Sequence, residues 1–355
     1  MIMEQPAQDA KQRIQWIDAA RGLAMILVVL GHITQKYYRQ DISAEYTYIV
    51  YKVIYSFHIP LFMMISGYMF HRVYVDQNGE IKGARLKTQF LNILLIYVMF
   101  SIFEGILKIF ISGDGVDTAS VKDVLLFWMK PIGGRLWYLY VLLEYYVLFS
   151  RRWIIRNIDK IWVIVLIGLL TAGSAVFPSE WYFCIKIAAT NILPFYIGIL
   201  LSRFGIDRAK KMIWAILSLA VVVGRIWFYT RGVVENEIPV LSVLYGVVLS
   251  VAILLLFQGV TGLQKNRMLR GIGSNTMEIF IMHEYPLIIG AKVINRYVSN
   301  VWISVILCLI LTVAVTCGVN ELLKRCRIHD LIFRPYKRRA GKTSGSSTIR
   351  DDKAE

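Results

Sequence analysis

Apolar residues along this chain collect in long runs, not in the alternating or 3.6-residue patterns by which a soluble domain covers one face of its elements. Ten runs are separated by charged or turn-forming stretches: Trp16 to Gln35, Tyr48 to Phe70, Phe90 to Ile111, Leu136 to Phe149, Ile161 to Phe177, Ile185 to Leu201, Met212 to Phe228, Val240 to Gly262, Ile272 to Ile289 and Val301 to Leu323. A bilayer-crossing helix needs about 20 mostly apolar residues, so the fourth run is short for a span and the others approach or reach that length. The pattern predicts an all-α, polytopic integral membrane protein of about ten transmembrane helices. No internal repeat at a fixed period is visible, and no loop is long enough for a second soluble domain.

Composition sharpens that picture. Of 355 residues, 57% are hydrophobic and 18% charged, and the mean hydropathy is +0.55. A soluble domain is roughly half apolar and about a quarter charged. The net charge of +16 would suggest nucleic acid in a soluble chain, but here it sorts by loop. Alternate loops and the two tails hold 27 of the 40 Lys and Arg, the remaining loops with the run ends beside them hold 11, and Arg21 and Lys108, inside runs, complete the total. By the positive-inside rule both termini are cytoplasmic and the protein sits in the plasma membrane, with the lipid bilayer and not nucleic acid as its partner. The expected layout is a membrane domain over residues 14–325 and a basic, partly disordered tail over 326–355 that includes Lys337-Arg338-Arg339.

The cysteines exclude a disulfide scaffold. Cys184 stands alone, Cys308, Cys317 and Cys326 fall in or beside one run, and no C-x-x-C or other metal-ligand spacing occurs. The first run carries Asp18 and Arg21 and is followed by no small-x-small cleavage site, so it reads as a retained helix and not a signal peptide.

Function is then sought in the polar exceptions, because ionisable groups at membrane depth are costly unless paired or hydrated. Arg21 and His32 are eleven positions apart in the first run. At about 100° per residue that offset returns to within about 20° of the same face, about 16 Å along the axis. One stripe thus carries a cation near the cytoplasmic leaflet and an imidazole well across the membrane, with Gly22, Ala24 and Gly31 permitting close packing beside it. Taken singly, Arg21 can be a snorkelling anchor paired with Asp18, and His32 an interhelical hydrogen bond; together they mark a polar path. In the second run His58 lies beside Pro60, which releases backbone hydrogen bonds and allows a hydrated cavity. Gly133-Gly134-Arg135 opens the fourth run, where Trp137 and Tyr138 fit an interfacial belt and Glu144 lies deeper. The ninth run carries Ser274-Asn275-Thr276 and His283-Glu284, where Glu284 is placed to orient the imidazole. Glu104 and Lys108, one turn apart, suggest an ion pair.

These residues carry a resemblance. The stretches Trp16-Ile17-Asp18-Ala19-Ala20-Arg21-Gly22-Leu23-Ala24 through Gly31-His32, Tyr55-Ser56-Phe57-His58-Ile59-Pro60-Leu61-Phe62 with Ser66-Gly67-Tyr68, and Leu136-Trp137-Tyr138-Leu139 resemble the acyltransferase 3 family of integral membrane acyltransferases, most of all its fucose 4-O-acetylase-related branch. Weaker echoes are Pro194-Phe195-Tyr196-Ile197-Gly198 and Gly273-Ser274-Asn275-Thr276 through His283. The family's first-helix Arg and His fall on Arg21 and His32, and its second-helix His on His58. Its R-x-x-R element meets Arg85-Leu86-Lys87-Thr88, so only Arg85 carries over.

The resemblance implies transfer of an acetyl group from cytoplasmic acetyl-CoA, a co-substrate and not a resident cofactor, to a hydroxyl of a surface or lipid-linked glycan. An alcohol is a weak nucleophile at neutral pH, and a positioned imidazole can take its proton during attack on a thioester. His32 is the expected base or acyl carrier, with His58 as a further catalytic residue. Arg21, Arg85 and Arg72 are expected at the donor, and Trp137, Tyr138, Arg135, His283 and Glu284 at the acceptor. The rival readings from composition and polar placement are a secondary transporter of a saccharide or organic acid and an inactive partner of a glycan-synthesis complex.

Overall fold

The computed structural model describes residues 14–40, 42, 44–110, 120–131, 135–178, 182–205, 208–231 and 239–336. Gly133, Gly134 and the basic run Lys337-Arg338-Arg339 lie outside the described residues, as does most of the expected tail. The described residues form helices and no strand. In chain order they are α1 (Gln15–Arg39), α2 (Ala44–Tyr74), α3 (Gly83–Phe110), α4 (Val121–Leu125), α5 (Trp137–Phe149), α6 (Arg152–Arg156), α7 (Ile161–Gly173), α8 (Ile185–Phe204), α9 (Arg208–Thr230), α10 (Pro239–Gly259), α11 (Thr261–Lys265), α12 (Arg267–Ser274), α13 (Thr276–Met282), α14 (Glu284–Tyr297), α15 (Val301–Arg325) and α16 (His329–Phe333).

Six helical segments among the described residues are long and apolar enough to cross a membrane: Gln15–Arg39, Tyr46–Tyr74, Gly83–Phe110, Tyr182–Phe204, Ser242–Gly259 and Val301–Arg325. Trp137–Phe149, Ile161–Val176 and Leu219–Phe228 are apolar but shorter. The fold is therefore an all-helical, multi-pass membrane protein. Large apolar side chains such as Phe110, Leu169 and Ile310 point outward, the arrangement that lipid requires and water penalises.

The ninth apolar run is not one helix. It divides into α12, α13 and α14, and local chemistry accounts for both breaks. Asn275 leaves helical geometry (φ −113°, ψ 26°), its amide donates to the Gly271 carbonyl at 2.8 Å, and Thr276 Oγ1 donates to the Gly273 carbonyl at 2.6 Å. These side chains compete with the backbone ladder. At the second break Pro286 lacks the N–H that would have bonded the Met282 carbonyl.

The chain folds as two compact units. The first comprises Met1–Arg72, Ile158–Phe177 and Ala189–Cys317. Within it α1 runs against α10, α11, α12 and α13. Two thirds of the most apolar window of α1 is buried (67%), against half or less for the other five candidate spans. The helix that carries Arg21 and His32 is thus the most enclosed. Its closest neighbour is α12: a Cβ added at Gly273 would sit 1.7 Å from the Asp18 carbonyl oxygen, and one at Gly22 2.0 Å from that of Leu269. Gly67 and Gly198 play the same part between α2 and α8, where an added Cβ would meet Phe195 O at 1.9 Å and Met64 O at 2.0 Å. With no hydrophobic effect between helices in lipid, backbone approach of this kind is a main source of association.

The second unit comprises Val73–Asn157, Pro178–Ala188 and Gly318–Glu355. Here α3 packs on α4, α5 and α16. Tyr97 and Tyr140 donate to the carbonyls of Phe127 (2.5 Å) and Trp128 (3.0 Å), tying the segment around α4 to α3 and α5. Glu104 on α3 makes a buried ion pair with Arg135, both about 4% exposed or less. Glu80 forms an ion pair with Arg152 at 2.9 Å and accepts a hydrogen bond from Arg156 at 2.5 Å.

Candidate active site

α1 and α2 form an antiparallel pair, and their polar stripes face each other. On α1 the stripe is His32, Gln35 and Tyr38, spaced by three; on α2 it is Tyr48, Tyr51, Tyr55 and His58, spaced by three and four. Those spacings keep each set on one helix face. Gly31 admits the partner: an added Cβ there would meet Ile54 Cγ2 and Tyr55 Cε2 at 3.1 Å. The Tyr55 ring lies edge-on to both imidazoles, 6.2 Å from His32 and 4.6 Å from His58.

His283, at the junction of α13 and α14, brings a third imidazole, its ring centre 5.2 Å from that of His32. Three of the five histidines therefore converge. His58 and His283 are buried, at 3% and 1% exposure, while His32 is half-buried. The remaining two stand elsewhere: His71 Nδ1 contacts Ser202 Oγ at 3.0 Å, and His329 Nδ1 contacts Asp330 at 3.1 Å.

Hydrogen bonds fix how two of the rings point. His58 Nδ1 donates to the Ile54 carbonyl at 2.8 Å. His283 Nδ1 donates to the carbonyls of Phe280 (2.9 Å) and Ile279 (3.1 Å). A carbonyl only accepts, so in each ring the proton sits on Nδ1 and Nε2 is the basic nitrogen of the neutral form. Backbone carbonyls thus fix the His283 ring, and Glu284, expected to orient it, is the next residue and opens α14, half-buried.

His32 is oriented by a chain of side chains. Tyr55 Oη donates to Gln35 Oε1 at 3.1 Å and lies 3.4 Å from His32 Nδ1; Gln35 Nε2 donates to Tyr51 Oη at 3.4 Å. The single phenolic proton of Tyr55 is committed to Gln35, so the Nδ1–Tyr55 bond needs its proton on His32. That leaves Nε2 of His32 as the basic atom, the tautomer a general base requires. The bonds are long, as those of unliganded active sites often are. Tyr55, Gln35 and Tyr51 were not singled out from sequence, although their three- and four-residue spacing against His32 and His58 was the signal.

Arg21 lies on α1, half-buried, with no hydrogen-bond or ion-pair partner among the described residues; the pairing with Asp18 is not formed. Pro60 sits within α2, and Gly246 of α10 packs over the carbonyl it frees: an added Cβ would meet Ser56 O at 2.4 Å. Trp16 stacks edge-on to Tyr68 at 5.1 Å, closing the α1 to α2 contact beside Gly67.

Other expected site residues are placed as follows. Arg72 is exposed near the end of α2, and Arg85 is exposed in the first turn of α3. In the second unit, the Arg135 guanidinium is engaged by Glu104, and Trp137 and Tyr138 open α5 half-buried with rings 6.2 Å apart.

Comparison with known proteins places this geometry in context. The profile of a family described as an acyltransferase domain, acyltransferase 3, matches residues 14–321. Two curated relatives are nodulation proteins NolL. The one from Sinorhizobium fredii is 28% identical over 187 residues, covering 49% of this chain and 46% of that protein. The one from Mesorhizobium japonicum is 44% identical over 52 residues, 15% of this chain and 14% of that protein. The chain thus spans about half or less of the curated relatives it matches. No solved structure matches.

Proposed function

Since the chain belongs to the acyltransferase 3 family of membrane acyltransferases, we propose that its histidine cluster transfers an acetyl group from cytoplasmic acetyl-CoA to a hydroxyl of a surface or lipid-linked glycan. The observation that carries this reading is the convergence of His32, His58 and His283 around Tyr55, with His32 oriented to offer Nε2.

In direct transfer the acceptor oxygen attacks the thioester carbonyl carbon while His32 Nε2 takes the hydroxyl proton. The tetrahedral intermediate then expels CoA thiolate as the C–S bond breaks, and the imidazolium returns the proton to sulfur. Tyr55, accepting from Nδ1–H, holds the imidazolium that forms. His58 and His283, each with a basic Nε2, accept from hydroxyls of the acceptor and so orient it. In the alternative route His32 Nε2 attacks the thioester carbonyl, the C–S bond breaks and CoA leaves as the thiol with the proton given up by the ring; the acceptor hydroxyl then takes the acetyl group as the C–N bond breaks and its proton returns to the imidazole.

Arg21 is assigned to the donor. A cation inside a span is expensive when unpaired, and Arg keeps its charge in a dry site, so an anionic group of CoA is the partner that compensates it. Arg72 and Arg85, both exposed, are assigned to the nucleotide end; Trp137, Tyr138, Arg135 and Glu284 to the acceptor side. The topology proposed with this chemistry has ten spans, both termini in the cytoplasm, and the plasma membrane as location, with the shorter apolar helices and the α12 to α14 segment completing the six long spans.

The test is transfer by the purified protein in detergent, given labelled acetyl-CoA and surface polysaccharide from a deletion strain. Label in the polysaccharide supports the reading, and absence of donor consumption with every glycan offered contradicts it. Label trapped on the wild-type protein without acceptor selects the acyl-carrier route.

A further inference from the structure

The aromatic face that links α1 and α2 continues beyond the histidines. From His32 and His58 it passes to Tyr55, then to Tyr51 (rings 4.4 Å apart), then to Tyr38 (6.1 Å, near-parallel at 13°), and from Tyr38 to Tyr48 (5.0 Å). Lys52 stands over the Tyr48 ring at 5.2 Å. Burial falls along the way: His58 is 3% exposed, Tyr55, Tyr51 and Tyr48 are half-buried, and Tyr38 is 38% exposed. This is a graded path from the surface to the cluster.

Its chemistry is specific in two respects. Tyrosine presents a negative ring face and a hydroxyl, and the residues that form the continuous ring path, His32, Tyr38, Tyr48, Tyr51, Tyr55 and His58 with Gln35 beside them, all carry a polar atom, while Ile54 packs at Gly31 on the same helix pair. Pure packing between helices in lipid would be served by small or aliphatic residues at lower cost, because each phenol and amide must be satisfied there. A pyranose ring has the complementary surface: an apolar, electropositive C–H face for the rings and a rim of hydroxyls for Gln35 and the phenols. The path also leaves the cluster toward the C-terminal end of α1, the direction opposite to Arg21.

We infer that the face formed by Tyr38, Tyr48 and Tyr51, with Gln35, is the acceptor subsite, taking sugar rings of the glycan by stacking and delivering one hydroxyl to His32. This rests on the transfer reading above and names the residues that would bind its acceptor.

The experiment uses the full-length purified protein, labelled acetyl-CoA, and de-O-acetylated polysaccharide from a deletion strain, with KM measured separately for each substrate. For Tyr38→Ala and Tyr48→Ala the acceptor KM rises roughly tenfold, the factor that about 1.4 kcal/mol makes, while the KM for acetyl-CoA stays within about twofold of wild type. Tyr38→Trp and Tyr48→Phe keep a ring and hold the acceptor KM well below that of the alanine variants, which separates stacking from loss of folding. An unchanged acceptor KM in the alanine variants, an effect on the acetyl-CoA KM instead, or equal loss in the ring-retaining variants overturns the inference while leaving the transfer reading in place. Failure of the wild-type protein to acetylate any glycan overturns both.

Discussion

Gly273→Ala is a one-methyl change that links helix packing to chemistry. The added Cβ would fall 1.7 Å from the Asp18 carbonyl oxygen, 2.7 Å from its carbon and 2.9 Å from the Gly22 nitrogen. All three are backbone atoms, so no side chain can rotate away. Reaching even 3.0 Å from the oxygen needs 3.0 − 1.7 = 1.3 Å of helix separation. Overpacking of this kind costs about 1–3 kcal/mol, and walls made only of backbone put it at the upper end. The displaced helix, α12, leads through Asn275 into α13 and His283, whose ring lies 5.2 Å from His32. A misplacement near 1 Å in an active site lowers rate on the order of 100-fold. Thermal unfolding of the purified variant, followed with its acetyl transfer rate, reads both effects: a midpoint lowered by several °C and a rate down about 100-fold. Gly22→Ala, whose Cβ meets Leu269 O at 2.0 Å, opens the same interface, so the double variant costs less than the sum of the two. Wild-type midpoint and rate for Gly273→Ala would refute the packing argument.

Further outcomes follow from the same geometry. Arg21→Ala leaves the protein folded in the membrane but abolishes glycan acetylation, and a Lys at that position restores part of it; analysis of surface-glycan acetyl content in a complemented deletion strain reads both. Tyr55→Phe removes the acceptor for His32 Nδ1–H and lowers kcat about tenfold or more with little change in either KM, and Gln35→Leu added to it costs little further, because the two act through one chain of bonds. Glu104→Leu or Arg135→Leu alone strands a buried charge and destabilises by about 3–5 kcal/mol, whereas the double Leu variant recovers most of that loss; thermal midpoints of the three proteins check the order.

Much of this was legible in the sequence because membrane helices leave few places for polar groups. The α1 stripe of Arg21 and His32 follows from helix periodicity alone, and the glycines of Ser66-Gly67-Tyr68 and the Gly198 and Gly273 stretches match points where helix backbones touch. What periodicity could not give was pairing between helices. That His283 meets His32 depends on how α12 to α14 fold back on α1, and the run that carries it reads as one uninterrupted span until Asn275 and Pro286 are weighed as breakers. The partner of Glu104 illustrates the same limit: Lys108 is one turn away on α3, but the ion pair is made with Arg135, distant in sequence and brought in by packing. Arg152 is likewise paired with Glu80, far from it in sequence. Tyr55 carries no functional signal of its own in sequence, because a tyrosine in an apolar run resembles an interfacial anchor, and the position of Gln35 across the α1 to α2 contact makes it part of the site.

The role of His32 in the transfer is tested by labelled acetyl-CoA given to purified wild-type and His32→Ala proteins, each with polysaccharide from a deletion strain. If His32 is the base or acyl carrier, label enters the polysaccharide with the wild-type protein and none above background with a His32→Ala protein of the same thermal midpoint. Acetylation at the wild-type rate by that variant would contradict it.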